Sequence, residues 1–292
     1  MSDPALPMTA DTDPAAPAGT PSPTTDWLRE ARSILLLILA VLAFHSLVAK
    51  PFYIPSESMM PTLLKGDRLV VSKYPYGWSF VSPSFHLLPP IKGRLFGRLP
   101  ERGDVVIAVP PGETSDYIKR VIGLPGDRIA LRGGVVFING VAVKRQAMPD
   151  RRIPIDANVP CDQPQVADRR VIGPDGRAYC SLPIFRETLP GGRSYDTIDL
   201  GEYPQVDEMD EITVPPSHVF LMGDNRDQSA DSRVALADRG LGGAIPYENI
   251  GGRAEFITFS LDGNWSWIDP RTWFTAFRSG RAGTSLHPSQ VQ

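Results

Sequence analysis

The apolar and polar positions of this 292-residue chain fall into three regimes. Residues 1–25 are Pro, Ala, Thr, Ser and Asp with almost no large apolar side chain; such a segment cannot bury a core, which predicts disorder for 1–26. Residues 33–49, SILLLILAVLAFHSLVA, are apolar on all sides apart from two serines and His45. That run meets the lower edge of the roughly 17–25 residues needed to cross a bilayer, and it predicts a single anchor within 27–50. No Ala-x-Ala cleavage site follows it, and Lys50-Pro51 comes next, so it does not read as a cleavable leader. Beyond it the pattern changes to short apolar runs led by Gly-Asp: KGDRLVV at 65–71, RGDVVIAV at 102–109 and PGDRIAL at 125–131. Each reads as a turn feeding a strand. GGVVFINGVAV at 133–143 adds a hairpin centred on Asn139-Gly140. VPPSHVFLMGDN at 214–225 and GGRAEFITFSL at 251–261 complete an antiparallel β-core over 51–262.

Two stretches fit no period. Residues 74–100 mix aromatics with prolines and read as a long loop with exposed apolar groups. Residues 144–213 show Pro-Asp and Gly-Gly pairs and no convincing long strand, and read as a smaller β/loop insertion off the core. The tail at 263–292 concentrates Trp265, Trp267 and Trp273 beside arginines. Either a membrane-interfacial segment or a short helix packed on the core accounts for that. The 30 prolines and 26 glycines suit β-structure with many turns. Thirty Lys and Arg against 33 Asp and Glu, without a long basic run, give no reason to expect nucleic acid. Cys161 and Cys180 are too far apart for a CxxC motif; they are either one bridge in an oxidising compartment or two unrelated thiols.

For chemistry, the stretch IPSESMMPTL at 54–63 sets Ser56 and Ser58 directly after the apolar run. A serine nucleophile needs a base. His45, His86, His218 and His287 sit in no triad-like or HExxH pattern, so neither a His-based triad nor a metal site is expected. Lysine serves instead when burial lowers its pKa. On a strand over 116–122, Lys119 shares a face with Tyr117 and Val121, which would desolvate it. MGDNRDQSADSR at 222–233 holds five charged residues and two serines directly after the run HVFLM. That is either a solvated turn or a rigid network of charge-assisted bonds.

Taken together, SESMMPTL (56–63), KGDRLVVSK (65–73), RGDVVIA (102–108), DYIKRVIGLPGD (116–127) and GDNRDQSADSR (223–233) resemble, in order, the bacterial type I signal peptidase family of membrane-bound serine proteases. The resemblance spans most of the part after the anchor and implies a mainly β, antiparallel catalytic core behind one N-terminal transmembrane helix. It implies Ser58 as nucleophile, Lys119 as general base, Ser56 as oxyanion donor and Ser229 as the residue that orients the lysine. Asp231 and Arg233 would be a structural ion pair, and Ile54, Met59, Leu63 and Ile118 the walls of pockets for small side chains. Glu57 has no role in this scheme and reads as a solvent-facing spacer. Gln228 stands where the family commonly has Asn.

The implied activity is cleavage of exported preproteins after small residues at −3 and −1, with no cofactor and no metal. Implied partners are signal peptides and the phospholipid membrane, near the secretion translocon. The N-terminus would lie in the cytoplasm and the catalytic domain outside the inner membrane, although Arg29 and Arg32 before the span and Lys50 and Lys65 after it leave the charge rule undecided. A specialised maturation peptidase of the same family, a LexA-like self-cleaving protein and a non-enzymatic anchored β-protein are the other readings. The LexA kind would need a DNA-binding domain where only residues 1–32 stand.

Overall fold

The computed structural model describes residues 23–86 and 88–290, so most of the stretch expected to be disordered lies outside the described residues. Helix α1 spans Pro23–Leu47, and Trp27–Leu47 within it is long and apolar enough to cross a membrane. It stops before the end of the expected 27–50 segment, because Pro51 disfavours helical backbone at Lys50 and the chain goes straight into a strand.

That strand is β1 (Ala49–Tyr53). It is followed by β2 (Asp67–Ser72), β3 (Val105–Ala108), β4 (Tyr117–Gly123), β5 (Arg128–Arg132), β6 (Val135–Ile138), β7 (Val141–Ala142) and β8 (Lys144–Pro154). Then come β9 (Arg170–Ile172), β10 (Ala178–Thr188), β11 (Arg193–Ile198), β12 (Met209–Thr213), β13 (His218–Met222), β14 (Ile245–Pro246), β15 (Ile250–Ser260) and β16 (Ser289–Gln290). They build a seven-stranded sheet in the order β1-β2-β15-β3-β4-β13-β14 and a four-stranded sheet β12-β5-β6-β7. A third sheet runs β16-β11-β10-β8, with β9 against β10. Every strand pair is antiparallel. The protein is mainly β, as its Gly-Asp turns and alternating runs indicated. At the β6–β7 turn, Asn139 and Gly140 both take positive φ, 56° and 80°, as a two-residue hairpin requires.

The region 144–213 differs from its sequence reading. It contains two eleven-residue strands, β8 and β10, paired along most of their length. The prolines that argued against a strand sit at its irregularity: the register slips between Leu182 and Ile184, opposite a slip from Arg151 to Met148, so Pro183 and Pro149 both fall in the bulge. A proline costs no ladder hydrogen bond there. On β10, Cys180, Leu182 and Ile184 alternate into an apolar cluster with Met60, Leu64 and Ile198. The expected loop at 74–100 does carry exposed apolar groups, including Phe85 and Phe96.

The end of the tail is tied to the sheets. Leu286 joins a core cluster with Ile54 and Val71, β16 pairs with β11, and Arg278 binds Asp156 at 2.7 and 2.8 Å. Trp267, Ile268 and Phe274 remain exposed.

Candidate active site

The loop between β1 and β2 owes its shape to alternating chemistry. Ile54, Met59 and Leu63 are apolar and enter one core cluster with Leu69, Val71 and Ile257, while the polar Ser56–Ser58 between them stays at the edge. Turn bonds from Met60 N–H to Glu57 O (3.0 Å) and from Leu63 N–H to Met59 O (2.9 Å) set its curvature. Ser58 is thereby held nearly buried, with its carbonyl accepting from Asn225 N–H at 3.1 Å.

Strand β4 brings Lys119 to it. Lys119 Nζ lies 3.0 Å from Ser58 Oγ and 3.0 Å from Ile118 O, with Tyr117 on the same strand face 5.6 Å from Nζ to ring centroid. Burial pushes the lysine from its ordinary 10.5 down to about 8, against the opposing pull of Asp231 and Asp224. At pH 7 a pKa of about 8 leaves roughly one lysine in eleven neutral, against about one in three thousand at the ordinary value. Lys73 is also pushed down to about 8 by burial, but its Nζ lies against the Phe52 ring, 6.0 Å from the centroid. Contact with Ser58 Oγ, more than the shift, singles out Lys119.

The next residue on β4 points the other way. Arg120 is buried and donates to Asp224 at 2.7 and 2.6 Å and to Gly103 O at 2.7 Å, with its guanidinium 4.1 Å from the Tyr195 ring centroid. Asp224 also accepts from Thr62 Oγ1 at 2.5 Å. One buried carboxylate therefore joins the loop between β1 and β2, β4 and the loop after β13. The consecutive lysine and arginine of SDYIKRVIG divide the work: one faces the Ser58 hydroxyl, the other locks the strand that carries it.

The loop 223–233 is a bonded network. Asp231 binds Arg233 at 2.8 and 2.9 Å and accepts from Gly223 N–H at 2.9 Å. Burial alone would raise the Asp231 carboxyl, but Arg233 and these donors hold it below its ordinary value. Arg226 pairs with Glu187 at 2.5 and 2.6 Å, and Asp227 accepts from Leu200 N–H at 2.5 Å. Gly223 is required for space: a Cβ there would come within 2.1 Å of Ser229 Oγ and 2.5 Å of Ser58 O.

The remaining expected residues meet mixed fates. Ser56 is exposed with its Oγ 3.4 Å from Ser58 Oγ. Ser229 is buried beside Gly223, yet its hydroxyl has no hydrogen-bond partner among the described residues, so it is not bonded to Lys119 here. Ile54, Met59, Leu63 and Ile118 do come together, but as buried core; Met59 and Leu63 are at 0% exposure and form no open pocket wall here. Glu57 is not a solvent-facing spacer, since its carboxylate accepts from Gln163 at 2.6 Å. Cys161 and Cys180 are disulfide-bonded. His218 Nδ1 lies 2.8 Å from Pro216 O and His287 Nε2 lies 2.7 Å from Glu255, and no described histidine is bonded to Ser58. Among the described residues no group of three or more His, Cys, Asp or Glu is placed to hold a metal ion. Sequence reasoning missed Thr62, Glu187 and Gln163, which lie outside the charged motif that they complete.

Comparison with known proteins gives the family. The family described as signal peptidase, peptidase S26, matches residues 25–259. Signal peptidase I of Rickettsia typhi (strain ATCC VR-144 / Wilmington) is 38% identical over 245 residues, covering 81% of this chain and 82% of the relative. Signal peptidase I of Rickettsia massiliae (strain Mtu5) is 37% identical over 281 residues, covering 90% and 94%. A solved signal peptidase I from Enterococcus faecalis V583 aligns at 20% identity and TM-score 0.28 over 53% of this chain and 97% of the other, too distant to add to the argument. With the family matched over most of its length, the chain belongs to the signal peptidases of peptidase family S26 and is a serine-type endopeptidase.

Proposed function

We propose that this protein is a membrane-anchored signal peptidase that cleaves exported preproteins after small residues at −3 and −1, using Ser58 as nucleophile and Lys119 as base. The observation that carries this reading is the 3.0 Å contact of a buried Lys119 Nζ with Ser58 Oγ. Neutral Lys119 takes the Ser58 proton as Oγ attacks the scissile carbonyl, forming the C–O bond of a tetrahedral intermediate. The Ser58 backbone N–H and the Ser56 hydroxyl meet the oxyanion, and one such donor is worth about 3 to 4 kcal/mol in other serine proteases. Protonated Lys119 returns the proton to the leaving amine as the C–N bond breaks. It then activates the water that releases the acyl group.

Helix α1 supports the anchored reading, since it supplies a span of bilayer length and ends eleven residues before Ser58 (58 − 47), at most about 40 Å of extended chain. In this reading the N-terminus faces the cytoplasm and the catalytic unit the far side of the inner membrane, where the disulfide fits an oxidising compartment. The test is a panel of preproteins offered to the full-length chain in detergent. Wild type is expected to cut after Ala-x-Ala, whereas Ser58→Ala and Lys119→Ala are expected to be folded and inactive. Cleavage by either variant overturns the dyad.

A further inference from the structure

The chain's Glu57 lies between the two site serines, and its surroundings form a closed circuit. Its Oε2 accepts from Gln163 Nε2 at 2.6 Å; Gln163 Oε1 accepts from Gln228 Nε2 at 2.7 Å; Gln228 Oε1 accepts from Asn225 Nδ2 at 3.0 Å. Asn225 Nδ2 returns to the Glu57 carbonyl at 3.2 Å, and Asn225 N–H holds the Ser58 carbonyl at 3.1 Å. Gln163 is itself anchored: it sits two residues after Cys161, whose disulfide to Cys180 closes the loop, and its carbonyl accepts from Val166 and Ala167 N–H at 2.9 Å. Burial raises the Glu57 carboxyl, outweighing Lys65 and Gln163, so the group is no solvated surface acid.

We propose that Glu57 is a positioning residue that ties the nucleophile loop, through Gln163 and Gln228, to the disulfide-closed loop and so fixes the Ser58 peptide at its distance from Lys119. The inference rests on the Ser58–Lys119 reading. Its chemistry is consistent: Gln163 and Gln228 each donate one N–H and accept at the amide oxygen, and Asn225 Nδ2 donates both to Gln228 Oε1 and to the Glu57 carbonyl, so the ring orients the 57–58 peptide from both its side-chain and main-chain ends. The Glu57 carboxylate is bonded to Gln163, and the charges that chiefly act on Lys119 are Asp231, Asp224 and Arg233. Its loss should therefore change how often Ser58 is aligned, leaving the availability of the base unaltered.

The test compares Glu57→Ala, Gln163→Ala, the double variant and Glu57→Gln in the full-length chain in detergent, using a synthetic precursor peptide with an Ala-x-Ala site. Each single alanine variant is expected to lower kcat about tenfold with KM and the apparent pKa of the base unchanged, as a misaligned reactant does. The double variant should be no worse than either single one, because both remove the same link. Glu57→Gln, whose amide oxygen still accepts from Gln163, should stay within about threefold of wild type. Wild-type kcat in both alanine variants, losses that multiply in the double variant, or Glu57→Gln as impaired as Glu57→Ala would each overturn the proposal. Ser58→Ala separates the two readings. If it is inactive while Glu57→Ala runs at full rate, only the positioning role fails; if it cleaves, the dyad itself fails.

Discussion

A lysine held as a base inside a protein should cost stability, and Lys119→Met tests that cost. The folded-state value of about 8 lies below the ordinary 10.5, and that difference corresponds to about 3 kcal/mol of penalty on the charged form. The sign follows from proton counting. Between about pH 8 and 10.5 the unfolded chain binds more protons than the folded one, so stability attributable to Lys119 rises with pH across that window. Below about pH 8 both states are protonated and the full penalty stands; above 10.5 it is gone. Methionine is similar in volume and carries no charge, but it forfeits the bonds to Ser58 Oγ and Ile118 O, each worth about 1 kcal/mol. The variant should accordingly be inactive yet gain on wild type as pH falls. Its stability difference from wild type should be about 2 to 3 kcal/mol more favourable at pH 6 than at pH 10. For a chain of this size that is a relative shift of about 3–5 °C in Tm. Scanning calorimetry of both proteins in the same detergent at the two pH values measures it. A difference independent of pH would refute the claim that Lys119 is a desolvated base.

Other substitutions probe the frame around the dyad. Gly223→Ala forces a methyl group into Ser229 Oγ and Ser58 O, and peptide cleavage should fall at least about a hundredfold with the β-rich circular dichroism retained. Asp224→Ala leaves Arg120 buried without its partner and should destabilise the protein by about 3 to 5 kcal/mol in denaturant unfolding; a loss below about 1 kcal/mol would mean that the pair is not shielded from water. Ser56→Ala removes a proposed oxyanion donor, and kcat on the precursor peptide should fall about a hundredfold with KM little changed. Equal kcat in that variant would assign the oxyanion to backbone donors alone.

Much of this was legible in the chain before its structure. Gly-Asp turns feeding apolar runs located β2, β3 and β5, and Asn139-Gly140 located a hairpin, because these signals are local. The five motifs also named Ser58 and Lys119 and the Asp231–Arg233 pair, which the fold brings to one place from three separate segments. What stayed hidden depends on long-range partners. Strand β8, KRQAMPDRRIP, is mostly exposed and strewn with charge and proline, so no alternation marks it, and its partner β10 carries Pro183 at the point where the ladder breaks. Glu57 looked like a spacer because Gln163, the group that engages it, lies 106 positions away. Met59 and Leu63 read as pocket walls by resemblance alone, and the sequence itself cannot tell an apolar wall from sealed core.

The central claim is that a neutral Lys119 takes the proton of Ser58, and the dependence of kcat/KM on pH tests it most directly, since that ratio reports the free enzyme's base. For the full-length chain and an Ala-x-Ala precursor peptide, kcat/KM should climb about tenfold per pH unit from pH 5, bend at an apparent pKa near 8 and level off above it. A profile that is flat from pH 5 to 9, or that bends near the roughly 6.5 of an ordinary histidine, would contradict the account.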